Sequence, residues 1–267
     1  MASLFRHTRA LPAWDVSSRT TEASDGVFLV EGPASNWIIV RDDSGHLIID
    51  GGYPADTPLV LRSLRHLGLD PADAAAMLIT HGHVDHTGSA AYFAKTFNTP
   101  ILCSASELAH VRGLEKHQVT FGQVLPRLWR PRVLRWTLHA IAAGALKAEP
   151  AKSAQAWTDE ALRALPGSPV PLLSSAHTPG HTSYLLPAAS VLVTGDLLVT
   201  GHPLSPAVGP QTLDPVFHLH PGQAVAAMDV LIGVDASLIL PGHVPSVERR
   251  AAEEGAAASR SRWWPYH

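Results

Sequence analysis

The chain has 267 residues, 46% hydrophobic and 16% charged, with a formal net charge of −3, a composition ordinary for a soluble globular protein and lacking the basic footprint of a nucleic-acid binder. The sole cysteine, Cys103, excludes an internal disulfide and a Cys-rich zinc site, and its apolar setting "TPILCSA" reads as a buried small hydrophobe. No segment has the apolar length to span a bilayer, and the N-terminal stretch with Arg6, Arg9 and Asp15 does not read as a signal peptide, so the expectation is a cytoplasmic protein without integral membrane association.

In chain order, "VFLVEG" and "NWIIVRD" read as strands, and the polar turn "RDDSGH" leads into a further strand, "LIID", which two glycines stop directly after Asp50. "ADTPLVLRSLRHLGL" follows with Leu59, Leu61, Leu64 and Leu67 near helical spacing and Gly68 near its end. "AAMLIT" is a strand, "GSAAYFAKTF" a helix and "PILCS" the next strand. In the second half "PVPLLSSA", "SVLVTGDLL" and "ASLILPGH" are strand-like, and "PGQAVAAMDVLIGV" reads as a helix. Alternation in both halves predicts an α/β layered fold.

Residues 105–165 break this rhythm and are expected to form a helical insertion. From Lys116 to Lys147 it contains Arg127, Arg130, Arg132 and Arg135 and no acidic residue. Leu134, Leu138, Ile141 and Ala145 share one helical face, with Arg132, Arg135 and His139 off it. The favoured expectation is a packed helix with a solvated basic face. The sharper one is a lid that shapes an apolar, anion-tolerant pocket or touches a membrane surface.

The chemistry concentrates in "THGHVDHTGSA", residues 80–90. A core rarely tolerates so many imidazoles and carboxylates without partners. Side chains at i and i+2 of an extended segment point the same way, so His81 and His83 can present two imidazoles to one point. Asp85 and His86, near the start of the next helix, aim at a second point close by. Imidazole and carboxylate suit zinc, and also iron or manganese. Three later strands each deliver a glycine and then a metal-competent side chain: Gly180-His181 in "AHTPGHTSY", Gly195-Asp196 in "VLVTGDLL" and Gly242-His243 in "LILPGHVP".

This ordered set, HxHxDH, then "TPGHT", "TGD" and "PGH", resembles the metallo-β-lactamase-fold hydrolase superfamily, with "LIIDGG" resembling that family's first conserved aspartate. The resemblance runs from about residue 26 to 247. It implies an αββα sandwich with two metal ions, ordinarily zinc, at one edge, within a single domain spanning residues 1–267. Position by position, it implies that His81, His83 and His181 hold the first ion. Asp85, His86 and His243 hold the second, Asp196 bridges the two, and Asp50 sits behind the ligands, fixing their orientation. Two divalent ions sharing a water lower its pKa to about 7 and supply a hydroxide nucleophile, which Asp85 is expected to orient as the catalytic carboxylate.

Other histidines carry weaker expectations. His177 is expected to stabilise its own loop, and His202 in "TGHPLSP" to line the pocket as readily as not. His218 and His220 in "PVFHLHPG" read as a hydrogen-bonded pair, a third metal site being the less favoured alternative. His110, His117 and His139 receive no role. The aromatic tail with Trp263, Trp264 and Tyr266 is expected to dock on the body of the protein.

Fold does not settle the reaction. A β-lactamase is disfavoured by the lack of a signal-peptide pattern, and a glyoxalase II by the 24 residues that follow His243, too few for its C-terminal domain. A nuclease is disfavoured by the lack of an added domain or exosite. The stretch "GDLLVTGH" lacks the tyrosine that acyl-homoserine lactonases often place after the bridging aspartate, which weakens that reading. The expectation is hydrolysis of a small-molecule ester, lactone or thioester, with no nucleic-acid partner and the oligomeric state open. The rivals are a mononuclear iron enzyme resembling the persulfide dioxygenases and a non-catalytic binding protein on the same fold.

Overall fold

The computed structural model describes residues 14–243, apart from Pro203 and Pro206, and the backbone of 247–248; the aromatic tail lies outside the described residues. Seven strands form the first sheet in sequential order: β1 (Thr20–Ser24), β2 (Val27–Glu31), β3 (Asn36–Asp42), β4 (Gly45–Ile49), β5 (Ala74–Leu78), β6 (Ile101–Cys103) and β7 (Gln155–Ala156). The first four pair antiparallel, and β4 to β7 run parallel. The second sheet holds β8 (Val170–Leu173), β9 (Thr182–Leu186), β10 (Val191–Gly195), β11 (Leu238–Pro241) and β12 (Val247–Glu248), in the order β12-β11-β10-β9-β8.

The helices are α1 (Thr57–His66), α2 (Val84–Thr87), α3 (Ala90–Phe97), α4 (Leu108–Val111), α5 (Phe121–Val124), α6 (Pro131–Ala142), α7 (Asp159–Arg163) and α8 (Ala224–Ala227). The stretch expected as a helix around Ala224 is α8 flanked by 3₁₀ turns at Pro221–Gln223 and Met228–Leu231.

Strand β3 shows why the layers form. Successive side chains point to opposite faces, and both faces of "NWIIV" are buried. Trp37 and Ile39 join the outer core with Leu59 and Leu64 of α1 and Phe93 of α3. Ile38 and Val40 face inward, meeting Tyr184, Leu186, Val191, Val193 and Leu240 of the second sheet. The far face of that sheet packs Leu192 and Ile239 against Met228 beside α8. The result is the expected αββα sandwich. Cys103 is fully buried, and burial pushes its thiol up to about 12, consistent with a packing role.

The insertion differs from expectation at both levels. Its last part is not helical cover: β7 pairs with β6 and extends the first sheet, and α7 follows it. In α6 the packed face is Val133, Ala140 and the half-buried Trp136, which join a satellite core with Val199, Leu204 and Phe217 or sit on Tyr53. Leu134, Leu138 and Ile141, the face expected to pack, point outward. Among the described residues no helix is long and apolar enough to cross a membrane.

Candidate metal centre

The histidine loop leaves the end of β5 and enters α2, at the rim where the second sheet delivers β9, β10 and β11. Two groups form there. His81, His83, His177 and Asp196 bring donor atoms within 4.8 Å of one another, as do Asp85, His86 and His243. Asp196 serves both groups with different oxygens. Its Oδ2 lies 3.7 Å from His81 Nε2 and 3.6 Å from His177 Nε2, and its Oδ1 lies 3.3 Å from Nε2 of both His86 and His243. Asp85 Oδ2 is 3.6 Å from His243 Nε2.

Backbone shape makes this convergence possible at two glycines. Gly195 has φ +51°, and a Cβ there would lie 2.8 Å from His181 Nε2; at Gly242 it would lie 2.5 Å from Asp196 Oδ1. Any side chain at either position would displace the group it meets.

Each imidazole of the two groups is pinned through the nitrogen that faces away from the centre. Thr80 Oγ1 donates to Asp50 Oδ2 at 2.7 Å, so it accepts from His81 Nδ1 at 3.0 Å. Asp50 also accepts from His86 Nδ1 at 2.8 Å and from Thr80 N–H at 2.8 Å. His243 Nδ1 donates to the Ala34 carbonyl at 2.8 Å, and His83 Nε2 donates to the His117 carbonyl at 3.0 Å. His218 Nε2 donates to the Leu213 carbonyl, which leaves its Nδ1 to accept from His177 Nδ1 at 3.3 Å. A carbonyl can only accept, so these tautomers follow from the partners.

The consequence is that unshared electron pairs converge. His83 Nδ1 and His177 Nε2 lie 3.1 Å apart, and each is the non-donating nitrogen of its ring. Burial holds His81 and His177 well below the usual imidazole range and lowers His83 as well, so all three rings are neutral near pH 7. Burial would lower His86 and His243 too, but the neighbouring carboxylates, Asp196 foremost, outweigh it and raise both. Burial would raise Asp196, yet His243 and His86 hold its carboxyl well below the usual range. His81 Nε2, His86 Nε2 and Asp196 Oδ1 are buried without a hydrogen-bond partner. Buried polar atoms without partners in a dry site are costly, and a divalent cation that takes the place of the His86 proton satisfies them together. The donor set fits two such ions.

The structure brings together Asp50, His81, His83, Asp85, His86, Asp196 and His243. His181 stands apart from the group that the resemblance assigned it to. Its Nε2 accepts the Asp196 N–H at 3.1 Å and its Nδ1 faces Ser174 Oγ at 2.9 Å, so both nitrogens are engaged; burial pushes it down to about 4. His177 stands in its place. His218 bonds to His177 and not to His220, which is exposed. His202 is buried beside the second group, its ring 5.1 Å from that of His243 and 6.0 Å from Trp136 of the insertion. Burial pushes His202 down to about 3.

Sequence reasoning missed Glu107 entirely. Its buried carboxylate accepts from Gly82 N–H, His110 Nδ1, Thr178 Oγ1 and Gly180 N–H, all between 2.7 and 2.8 Å. Burial would raise it, but these bonds and the His110 ring keep it lowered. It thereby ties the loop of His81 and His83 to the loop of His177 and His181. His110 Nε2 in turn accepts the N–H of His117, whose carbonyl orients His83. Only His110, three residues on, is a local partner; no pattern around Glu107 signals the others, because they lie 25 and 71–73 residues away.

Comparison with known proteins agrees with this fold. "Probable metallo-hydrolase YflN" of Bacillus subtilis is 24% identical over 83% of this chain and 85% of its own length. "Probable metallo-hydrolase YybB" of the same organism is 27% identical over 63% of each, so the matched stretch spans under two thirds of that relative. Among solved structures, the metallo-beta-lactamase family protein TTHA1429 from Thermus thermophilus shares the fold at TM-score 0.61 and 22% identity, covering 89% of this chain and 80% of that one. TTHA1623, solved in a di-iron-bound form, superposes at TM-score 0.54 and 22% identity, covering 81% and 91%. The family model of the metallo-beta-lactamase superfamily matches residues 30–243, from β2 through the last histidine of the centre, and the chain belongs to that superfamily.

Proposed function

We propose that this superfamily hydrolase is dinuclear, acting as one domain on a small-molecule ester, lactone or thioester. His81, His83 and His177 would hold one ion, Asp85, His86 and His243 the other, and Asp196 both. The observation that carries this reading is the two-sided Asp196, whose Oδ1 and Oδ2 each face a separate, internally complete donor group. Zinc is the first expectation for imidazole and carboxylate donors, although iron suits them too and TTHA1623 is a di-iron form.

When bound, the ions supply a nucleophile from water at neutral pH and polarise the substrate carbonyl. The chain's own residues do the rest. Asp85 keeps some solvent access and stands 3.6 Å from His243 Nε2, where its carboxylate can orient a water and take its proton. Asp50, Thr80, Ala34, His117 and His218 bond the outer nitrogens, which leaves the inner ones of His81, His83 and His177 unprotonated and those of His86 and His243 to give up their protons when an ion binds. Trp136, His202 and Phe217 form a ring-lined wall beside the second group, which favours an apolar or acyl substrate over a highly charged one.

Elemental analysis of protein purified without chelator tests the metal half of this reading, and a screen of esters, lactones and thioesters tests the other. About two zinc ions per chain with turnover of one of these classes supports it. A single iron with oxygen-dependent thiol or persulfide oxidation would replace it with the mononuclear reading.

A further inference from the structure

The insertion carries a surface that the metal centre does not use. A helix on a globular protein ordinarily turns polar residues away from its packed face. In α6 the side opposite the packed one is apolar as well: Leu134, Leu138 and Ile141 line up at i, i+4 and i+7, and Leu138 leaves 58% of its surface exposed. Just before α6, Trp129 is 76% exposed, with the Arg130 guanidinium 5.2 Å over its ring. A contiguous apolar stripe rimmed by basic residues marks an interaction surface for a second body.

Charge says which kind of body. Lys116, Arg127, Arg130, Arg132, Arg135 and Lys147 stand in a stretch without one carboxylate, whereas the rest of the chain has fourteen basic against 23 acidic residues. A second copy docked stripe to stripe on α6 would gather the basic residues that border the stripe, Arg130 and Arg135, from both copies at one interface, with no acidic side chain of the insertion to pair them. Basic residues flanking an outward Leu, Ile and Trp stripe are the composition of a helix that lies in the plane of a lipid interface.

We propose that this face docks the protein on an anionic lipid bilayer. Leu134, Leu138, Ile141 and Trp129 enter the boundary between headgroups and acyl chains, Arg130 and Arg135 at the margin of the stripe meet the lipid phosphates, and Arg132 on the polar side adds to the attraction of the anionic surface. The opposite side of α6 reaches His202 through Trp136, so docking sets the metal centre directly behind the membrane-facing helix.

Co-sedimentation of the full, metal-loaded chain with vesicles tests this. Binding is expected to phosphatidylcholine vesicles containing phosphatidylglycerol and not to phosphatidylcholine alone, and to weaken as salt is added. R132Q/R135Q should weaken it about 25-fold, at about fivefold for each arginine near a charged surface. L134S/L138S should abolish it, and because these side chains are exposed, both variants should keep the parent Tm. No sedimentation with anionic vesicles, or undiminished sedimentation of R132Q/R135Q, overturns the proposal. So does a dimer in light scattering that L138E converts to a monomer, which would make the face a contact between copies. Capture of polyglutamate without vesicle binding would assign it to an acidic protein instead.

Discussion

His177 Nε2 and His83 Nδ1 face each other at 3.1 Å with no proton between them, since His177 gives its Nδ1 proton to His218 and His83 gives its Nε2 proton to the His117 carbonyl. Two lone pairs at that distance repel, and a shared cation turns the repulsion into ligation. The relationship singles out His177 as a member of the first group and His181 as its support.

These two histidines should therefore fail differently. His177→Ala is expected to lower bound metal from about two ions per chain to about one while leaving the thermal midpoint of chelated protein little changed. His181→Ala leaves the Asp196 N–H buried without an acceptor, a loss of about 1–3 kcal/mol. It should retain both ions and melt earlier. Elemental analysis beside calorimetry separates them, and loss of metal in His181→Ala alone would restore the assignment that the sequence resemblance implied.

Asp50 carries three hydrogen bonds that orient the site, one of them to His86. Asp50→Asn keeps the shape but presents an amide that cannot accept at both ends. Affinity for the second ion should fall about 10–100-fold, in line with changes behind other metal ligands. Competition with a chromogenic chelator reads this directly, and an unchanged affinity would remove Asp50 from the account.

Glu107 receives four donors on two oxygens. In Glu107→Gln either amide orientation turns an NH₂ toward two of those donors. A loss of about 2–5 kcal/mol is expected from such a buried clash of donors. Urea unfolding checks the magnitude. Metal affinity measured below the unfolding range should also fall, because Gly82, between His81 and His83, loses its anchor.

Metal-free protein should be most stable near pH 6.5, for reasons of sign. His181, pushed to about 4, and His202, pushed to about 3, are neutral when folded, whereas the unfolded chain takes up their protons near 6.5. Stability is thus lost as pH falls below about 6.5 toward those values. His86 and His243 are raised, so their contribution is complete below about 6.5 and is lost as pH rises through their folded values. Urea midpoints of chelated protein across pH 5–8 test both limbs. A midpoint that climbs steadily toward acid would show that the buried imidazoles do not govern it.

Much of this protein was legible before folding was considered. Local pattern sufficed for β3, for α1 with its left-handed Gly68 just past the end, and for a loop in which i and i+2 histidines leave a strand together. Those features depend on neighbours a few residues away, and the chain states them directly. The order of the ligand motifs carried the sandwich with it, since each motif ends a strand.

What the sequence left open depended on groups remote in the chain. His177 and His181 sit four residues apart in one loop, and nothing local ranks them. The ranking comes from the Asp196 N–H and Ser174 filling one ring and His218 filling the far side of the other. The outward face of α6 is ambiguous in sequence for the same reason: the helix is apolar on two sides, and only the position of Val199, Leu204 and Phe217 decides which side packs. Residue types and spacing determined that this chain binds metal at one edge of a layered fold. Tertiary structure decided which nitrogens face the centre, because a hydrogen bond to a distant carbonyl or carboxylate is what fixes an imidazole's tautomer.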